Sequence, residues 1–257
     1  NVGDIMHLCH EGFGKDFGAT LLEEMARHGD LGPGALEDVL KDCYNNQWKK
    51  WCKDRKITNR VPVFSKLLLG KSSVDDYPCF TGKVKAASCK YLLFFLNDLC
   101  LEVANRLGGD YRKQRSACIY SLCDFLNTVD RADDIMKEHE AQRACKSGHT
   151  FLQLYVHLAQ LNFTNGVAAY KCRPKLHYFM HLCDYLCVTL ENPRKHHCFL
   201  DEDFVGKIKG IAARTHRKLL MGRTLQRYVL LLRSRFRTTG VAELKTVVRK
   251  ELFRSKV

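Results

Sequence analysis

The chain has 257 residues, of which 46% are hydrophobic, and this is enough apolar material for a buried core. A membrane span is not expected, because Asn97 and Asp98 interrupt the most apolar run, and no signal peptide is visible. The 13 cysteines form no CxxC pair, which favours reduced thiols in an intracellular protein over a disulfide framework.

Helical periodicity dominates the chain and predicts a mainly α fold with little or no β-sheet. Strand signals are limited to the extreme N-terminus and to HHCFL, and the region 57–82 reads as loop with one short helix. Pro174 suits the first turn of a helix, and Gly222 and Gly240 are expected helix boundaries. In chain order the predicted helices cover residues 17–29, 35–53, 83–107, 111–145, 148–170 and 174–190, with two or three more in the tail.

The net charge of +14 is concentrated in the tail. Residues 205–257 contain 15 lysines and arginines against Glu243 and Glu251, so they carry +13 of the total. Such a concentration points to a polyanionic partner, namely DNA, RNA or an anionic membrane surface. A basic face that is merely solvated is the alternative.

His177 and His181 stand four residues apart in KLHYFMHLC, so on a helix both imidazoles project from one face, as two zinc ligands would. Cys183 or Cys187 could complete such a site. The pair lacks the adjacent Glu of a metalloprotease helix and lies among apolar residues, so histidines bonded within a core or at an interface are the competing interpretation.

Two tryptophans, Trp48 and Trp51, alternate with basic residues in NNQWKKWCKDRK. Aromatic and cationic groups together can stack on and neutralise nucleic acid. At this spacing the two indoles share one helical face, so burial in the core is an equal alternative.

Three short motifs, DIMHLCHEGFGKDF, PKLHYFMHL and DEDFVGKIKGIA, occur in the chain. Together they resemble segments of RNase H-like DDE/D transposases of the CACTA-related superfamilies. DIMHLCHEGFGKDF is similar to the segment around their second catalytic aspartate, and PKLHYFMHL to a later Pro-x-x-His-x-x-x-His-Leu helix. DEDFVGKIKGIA is similar to their Phe-Glu-Arg-[Phe/Tyr]-x-Gly segment, with Glu202 at the position of the final glutamate. Asp203 stands where the family often has arginine, which leaves open which of Asp201, Glu202 and Asp203 would bind metal.

The resemblance implies that Asp4 and Glu202 are catalytic ligands of Mg²⁺ or Mn²⁺ in DNA strand cleavage and transfer. It also implies that residues 1–16 end an RNase H-like core segment, that 17–198 form a helical insertion, and that 199–257 hold the final Glu helix and basic C-terminal helices. The first catalytic aspartate would precede Asn1, so we interpret the chain as a fragment that is inactive without the N-terminal part of the same protein. Nuclear localisation follows from the same resemblance.

DNA is therefore the expected partner, and a second copy of the chain is a further candidate. The residues expected to contact the DNA backbone are Lys207, Lys209, Arg214, Arg217, Arg223 and Arg227. Two alternatives stay open: a non-catalytic helical nucleic-acid-binding protein, and a helical scaffold that binds an acidic protein or a membrane surface. The last alternative predicts a tail helix with a strong apolar face.

Overall fold

A computed structural model describes residues 4–58, 61–73, 75–196 and 199–238, and these residues are mainly helical, which confirms the mainly α prediction. Within these ranges the only β-type pairing is an isolated bridge between Ile135 and Glu191. None of the helices described is both long enough and apolar enough to cross a membrane. The α-helices are α1 (Gly14–Arg27), α2 (Leu36–Asp42), α3 (Lys49–Asp54), α4 (Ala86–Leu107), α5 (Asp110–Arg131), α6 (Glu138–Thr164), α7 (Pro174–Thr189), α8 (Phe199–Ala212) and α9 (Leu220–Thr238).

The chain divides into two compact units, Asn1–Cys198 and Phe199–Val257. In the first, α1 follows a π-helical stretch, Met6–Phe13, and a second π-helical stretch, Cys43–Trp48, joins α2 to α3. Helices α4 to α7 pack side by side in chain order. In the second unit, α8 packs against α9.

Helix α1 is the centre of the first unit, because every residue from Gly14 to Ala26 is buried. Phe17 contacts the rings of Phe151 and Tyr155 edge-on, at centroid distances of 5.4 and 5.5 Å. Gly18 leaves room for Phe80, since a Cβ at this position would lie 2.8 Å from the Phe80 ring. The glycine is therefore a close-packing residue, and the apolar contacts around it supply the main stabilisation of the unit.

The buried carboxylates of α1 are each paired with a base from elsewhere in the first unit. Such pairing is required because an isolated buried charge would lose its hydration without compensation. Helix α1 is thus enclosed by ion pairs as well as by apolar side chains. The pairs are Asp16 with Arg173, where Nε lies 2.6 Å from Oδ2, Glu23 with Lys71 at 3.2 Å, and Glu24 with Arg115 at 3.5 Å.

The single helix expected over 111–145 is wrong, because α5 ends at Arg131 and α6 begins at Glu138. The side-chain amide of Asn192 donates to the carbonyls of Val129 and Ala132, at 2.9 and 3.1 Å. These carbonyls at the end of α5 thus receive side-chain partners in place of further helical ones. The apolar spacing runs on through the break, so periodicity alone could not locate it.

Four smaller expectations are also corrected. The chain is helical from Ile5 onwards, so the strand signal at the N-terminus fails over the residues that the structure describes. In HHCFL, His196 ends a 3₁₀ helix and Phe199 begins α8, while residues 197–198 lie outside the described part. Gly222 lies inside α9 and does not bound it; Gly240 is outside the described residues. The short helix expected within 57–82 is absent from the residues described there.

Candidate nucleic-acid interface

Asp4 lies immediately before the opening helix, and its side chain accepts a hydrogen bond from a backbone N–H in the first turn of that helix. Its Oδ1 accepts the Met6 N–H at 2.9 Å, and its Oδ2 contacts Nδ1 of His7. The Asp4 side chain is 15% exposed. An acidic side chain in this place satisfies an otherwise unpaired N–H and favours the positive end of the helix dipole. Asp4 therefore has a structural role that needs no metal.

Glu202 belongs to α8 in the second unit, and its side chain lies outside the part of the chain that the structure describes, as do those of Asp201 and Asp203. Asp4 belongs to the first unit. Because the two residues belong to different units and the Glu202 side chain is outside the described part, the pairing of Asp4 with Glu202 stays a prediction.

A magnesium ion needs several oxygen ligands that converge from different segments. Both carboxylate oxygens of Asp4 already have protein partners, and no group of three or more His, Cys, Asp or Glu side chains capable of holding a metal occurs among the described residues. The described residues around Asp4 consequently do not fit a magnesium site by themselves.

His177 and His181 share the exposed face of α7, as their spacing predicts. Their Nε2 atoms lie 3.0 Å apart, so one imidazole donates a hydrogen bond to the other. Cys183 is buried against Gly148 of α6, and the Cys187 thiol donates to the Ala141 carbonyl at 3.9 Å. Both thiols therefore face α6, and the zinc alternative is left with two ligands among the described residues.

The basic side chains of the second unit are well exposed. Lys209, Arg214, Arg217, Arg223 and Arg227 are exposed, and Lys207 is half-buried. Residues 204–242 contain no Asp or Glu. Lys209, Arg217 and Arg223 form no ion pair with any carboxylate that the structure describes, so their positive charges are not neutralised within this part of the chain.

One arginine also fixes the shape of the second unit. Arg227 of α9 donates to the Arg214 carbonyl at 2.9 Å and to the Thr215 hydroxyl at 3.3 Å, which joins α9 to the turn after α8. Phe204 of α8 packs edge-on against Tyr228 of α9, with centroids 5.1 Å apart. These contacts hold the two basic helices side by side.

Helix α9 also has an exposed apolar face. Met221, Leu225 and Val229 are 89, 64 and 43% exposed, and their spacing places them on one side of the helix. Arg223 and Arg227 lie on the other side. Exposed apolar side chains on α9 are the feature that the scaffold and membrane alternative predicts, but they are not confined to one side, because Leu230, 61% exposed, lies on the side of Arg223.

The tryptophans of the first unit belong to the core. Trp48 is 3% exposed and stacks on Trp51 with centroids 5.6 Å apart. The Trp51 indole N–H donates to Oδ2 of Asp98 at 2.8 Å, and Arg55 covers its ring. The core interpretation is therefore the right one, because these ring faces are occupied by protein groups.

Sequence reasoning missed a buried polar network between α1 and α5. Arg115 and Asp30 are both 0% exposed and hydrogen-bond at 2.5 Å, and Arg112 donates to the second oxygen of Asp30 at 2.8 Å. Burial raises the pKa of Asp30, but the hydrogen bonds from the two arginines outweigh it and bring the pKa below its ordinary value of 3.8. Nothing in the local pattern of α5 distinguishes these arginines from solvated ones.

Glu24 forms the other half of this network. It accepts hydrogen bonds from the hydroxyls of Tyr111 and Tyr170, the latter at 2.8 Å. Asn162 in turn donates to the Tyr111 hydroxyl at 2.8 Å. Burial and the nearby Glu24 carboxylate raise the pKa of both tyrosines, so they are neutral donors, and the network is structural.

Comparisons with protein families, with curated proteins and with solved structures find no match to this chain.

Proposed function

We propose that this protein binds the phosphate backbone of DNA through the exposed basic side chains of α8 and α9. One observation carries the proposal: residues 204–242 contain ten lysines and arginines and no acidic residue, and the described members of this set are mostly exposed. Unneutralised cations at a surface attract a polyanion, and each phosphate contact releases counterions. Contacts of this kind position a protein on the duplex without specifying a sequence.

The arrangement of α8 and α9 supports the proposal. Because Arg227 and the contact between Phe204 and Tyr228 hold the helices together, the basic groups of both helices are presented by one folded unit. A fixed arrangement loses less conformational entropy on binding than a disordered basic tail would. Lys209, Arg217 and Arg223 are the residues best placed to contact phosphates, since they have no carboxylate partner in the described part of the second unit.

The transposase resemblance would add metal-dependent strand cleavage to DNA binding. That activity would need Glu202, Asp4 and a third carboxylate to converge on Mg²⁺ or Mn²⁺. The described residues around Asp4 do not form such a site, so catalysis stays a prediction from the resemblance and enters no step of the binding proposal.

A salt titration tests the binding proposal. Fluorescence anisotropy of a labelled DNA duplex is measured between about 50 and 200 mM KCl for the unmodified chain and for the triple variant Lys209→Gln, Arg217→Gln, Arg223→Gln. We expect the slope of log K against log [KCl] to become shallower by about 3 in the variant. A matched variant, Lys83→Gln, Lys113→Gln, Lys146→Gln, removes three exposed charges from the first unit and should keep the slope. Equal losses in both variants would show attraction by net charge alone.

A second candidate function is binding to an anionic membrane, and the exposed apolar face of α9 favours it. Basic residues would contact lipid head groups while Met221 and Leu225 enter the acyl boundary. The double variant Met221→Gln, Leu225→Gln separates the two functions, since it keeps every charge. If the double variant no longer cosediments with phosphatidylserine vesicles but keeps its DNA affinity, the membrane function is supported. If it keeps both vesicle cosedimentation and DNA affinity, the membrane function is ruled out.

A further inference from the structure

Two cysteines lie at the contact between α6 and α7. The Cys187 thiol of α7 reaches the carbonyl of Ala141 at 3.9 Å, and Ala141 lies one helical turn before Cys145 on α6. Gly148, three residues after Cys145, allows the helices to approach closely, since a Cβ there would lie 2.3 Å from the sulfur of Cys183. The geometry of this contact therefore brings the Cys145 and Cys187 thiols together.

The two thiols differ in their access to solvent. Cys187 is exposed and Cys145 is half-buried. Burial, with a smaller contribution from the hydrogen bond to Cys187, raises the pKa of the Cys145 thiol to about 12. Most other cysteines of the first unit, including Cys183, are buried in the apolar core. Cys187 is therefore the member of the pair that a small oxidant can reach first.

We propose that Cys145 and Cys187 are a modification site, a dithiol that a hydroperoxide converts into a disulfide linking α6 to α7. The exposed Cys187 sulfur attacks the peroxide and becomes a sulfenic acid, with release of water when hydrogen peroxide is the oxidant. The Cys145 sulfur then attacks the Cys187 sulfur, forms the S–S bond and releases a second water. Two thiols and one peroxide thus give one disulfide and two waters.

The contact between the helices gives the reaction its selectivity. The neighbouring Cys145 thiol traps the Cys187 sulfenic acid faster than a thiol from another molecule does, because the fold holds the two sulfurs at high effective concentration. Cys172 supplies the contrast within the same unit. It is also exposed, but its described sulfur contact is to the Tyr170 carbonyl, so no hydrogen bond to another thiol is described for it.

Oxidation of the 257-residue chain with hydrogen peroxide tests the inference. After digestion without reducing agent, mass spectrometry should detect a peptide pair joined by Cys145 and Cys187, two hydrogens lighter than the free peptides. The linked pair should disappear on reduction and should form equally in a Cys172→Ser variant. A Cys187 sulfenic acid that dimedone traps in the unmodified protein, with no linked pair, would overturn the proposal.

The Cys145→Ser variant gives the second measurement. Without its partner, Cys187 should accumulate as the sulfenic acid, and dimedone labelling at this position should rise several-fold over the unmodified protein. Unchanged labelling would contradict a resolving role for Cys145. Because the unmodified protein supplies the linked-peptide result by itself, the test does not depend on the folding of the variant.

Discussion

Arg115 of α5 donates a hydrogen bond of 2.5 Å to Asp30, and neither side chain is accessible to solvent. Asp30 follows the C-terminal end of α1, so this pair joins the central helix to the bundle of α4 to α7. The Arg112 side chain donates to the other carboxylate oxygen of Asp30, and the Arg106 guanidinium donates to the Asp30 backbone carbonyl at 2.7 Å, so little of Asp30 is unpaired. Both carboxylate oxygens of Asp30 are thus paired, and buried hydrogen bonds of this kind rigidify the packing around them.

Replacement of Arg115 by leucine should strongly destabilise the first unit. The change leaves Asp30 and Glu24 with fewer partners in the interior, and the expected loss is about 3–5 kcal/mol in the free energy of unfolding. Urea unfolding followed by tryptophan fluorescence measures it, because both tryptophans lie in this unit. Arg55→Leu is the control: it breaks a more exposed pair with Asp98 and should cost under about 1 kcal/mol. Similar losses in both variants would contradict a special role for the buried network.

Acid should destabilise the first unit through Asp30 and Asp124. Burial raises the pKa of Asp124, but hydrogen bonds from Arg143 and Ser147 outweigh it, so the folded-state pKa is lowered, as it is for Asp30. A lowered folded-state pKa stabilises the protein fully above the unfolded-state value and loses that stabilisation as the pH falls through the folded-state value. We therefore expect the urea concentration at the midpoint of unfolding to decrease when the pH is lowered below about 4.

The same urea series with Asp124→Asn tests the assignment. This variant should be less stable than the unmodified chain at pH 7, and the difference should shrink as the pH falls below about 4. A difference that stays constant with pH would show that the charge of Asp124 does not contribute.

Substitution of Gly148 by alanine should destabilise the contact between α6 and α7. The new methyl group would meet the Cys183 sulfur at 2.3 Å and the Phe125 ring at 3.4 Å, and overpacking of this kind costs about 1–3 kcal/mol. Adding Cys183→Ala should recover part of the loss, because it removes the sulfur. Gly82→Ala is the control, since nothing lies within 4 Å of a Cβ there. Thermal unfolding of the unmodified chain, the single variants Gly148→Ala and Cys183→Ala, and the double variant gives the coupling between the two sites. Strictly additive effects would contradict the contact.

Arg227 and Arg223 should behave differently although both are exposed arginines of α9. Arg227→Gln removes the bonds to Arg214 and Thr215, so it should lower the thermal stability of the second unit and also weaken DNA binding. Arg223→Gln should weaken DNA binding by a similar amount, about one unit of the salt slope, without the loss of stability. Circular dichroism melts and anisotropy titrations on the same preparations separate the effects. Equal melting behaviour would show that the bonds of Arg227 are not stabilising.

Much of the helical organisation follows from local patterns. Pro174 begins α7, and Gly29 follows α1 with a positive φ of 70°, because both residues act within a few positions of themselves. The break between α5 and α6 depends on Asn192, which lies 63 residues beyond Val129. A partner at that separation leaves no signal in the window where the helix ends.

The candidate sites also divide into features that local sequence patterns predict and features that depend on residues far apart in the chain. Charge counts identify the basic second unit, because its character depends on composition alone. Helical spacing identifies the face shared by His177 and His181. The burial of Arg115 and the meeting of Cys145 with Cys187 depend on which faces of distant helices touch. Spacing cannot supply that information, because it shows which residues share a face of one helix but not which other helix that face contacts.

The enclosure of α1 also determines when this unit can fold. Glu24 accepts its hydrogen bond from Tyr170, which lies 146 residues later in the chain. At ordinary rates of protein synthesis, about 7–30 s separate the emergence of these two residues from the ribosome. Throughout that interval Glu24 lacks this partner, and we expect the acidic side chains of α1 to keep the helix hydrated until the later helices arrive. Carboxylates that are ion-paired in the finished protein would then also limit aggregation of the same helix during its synthesis.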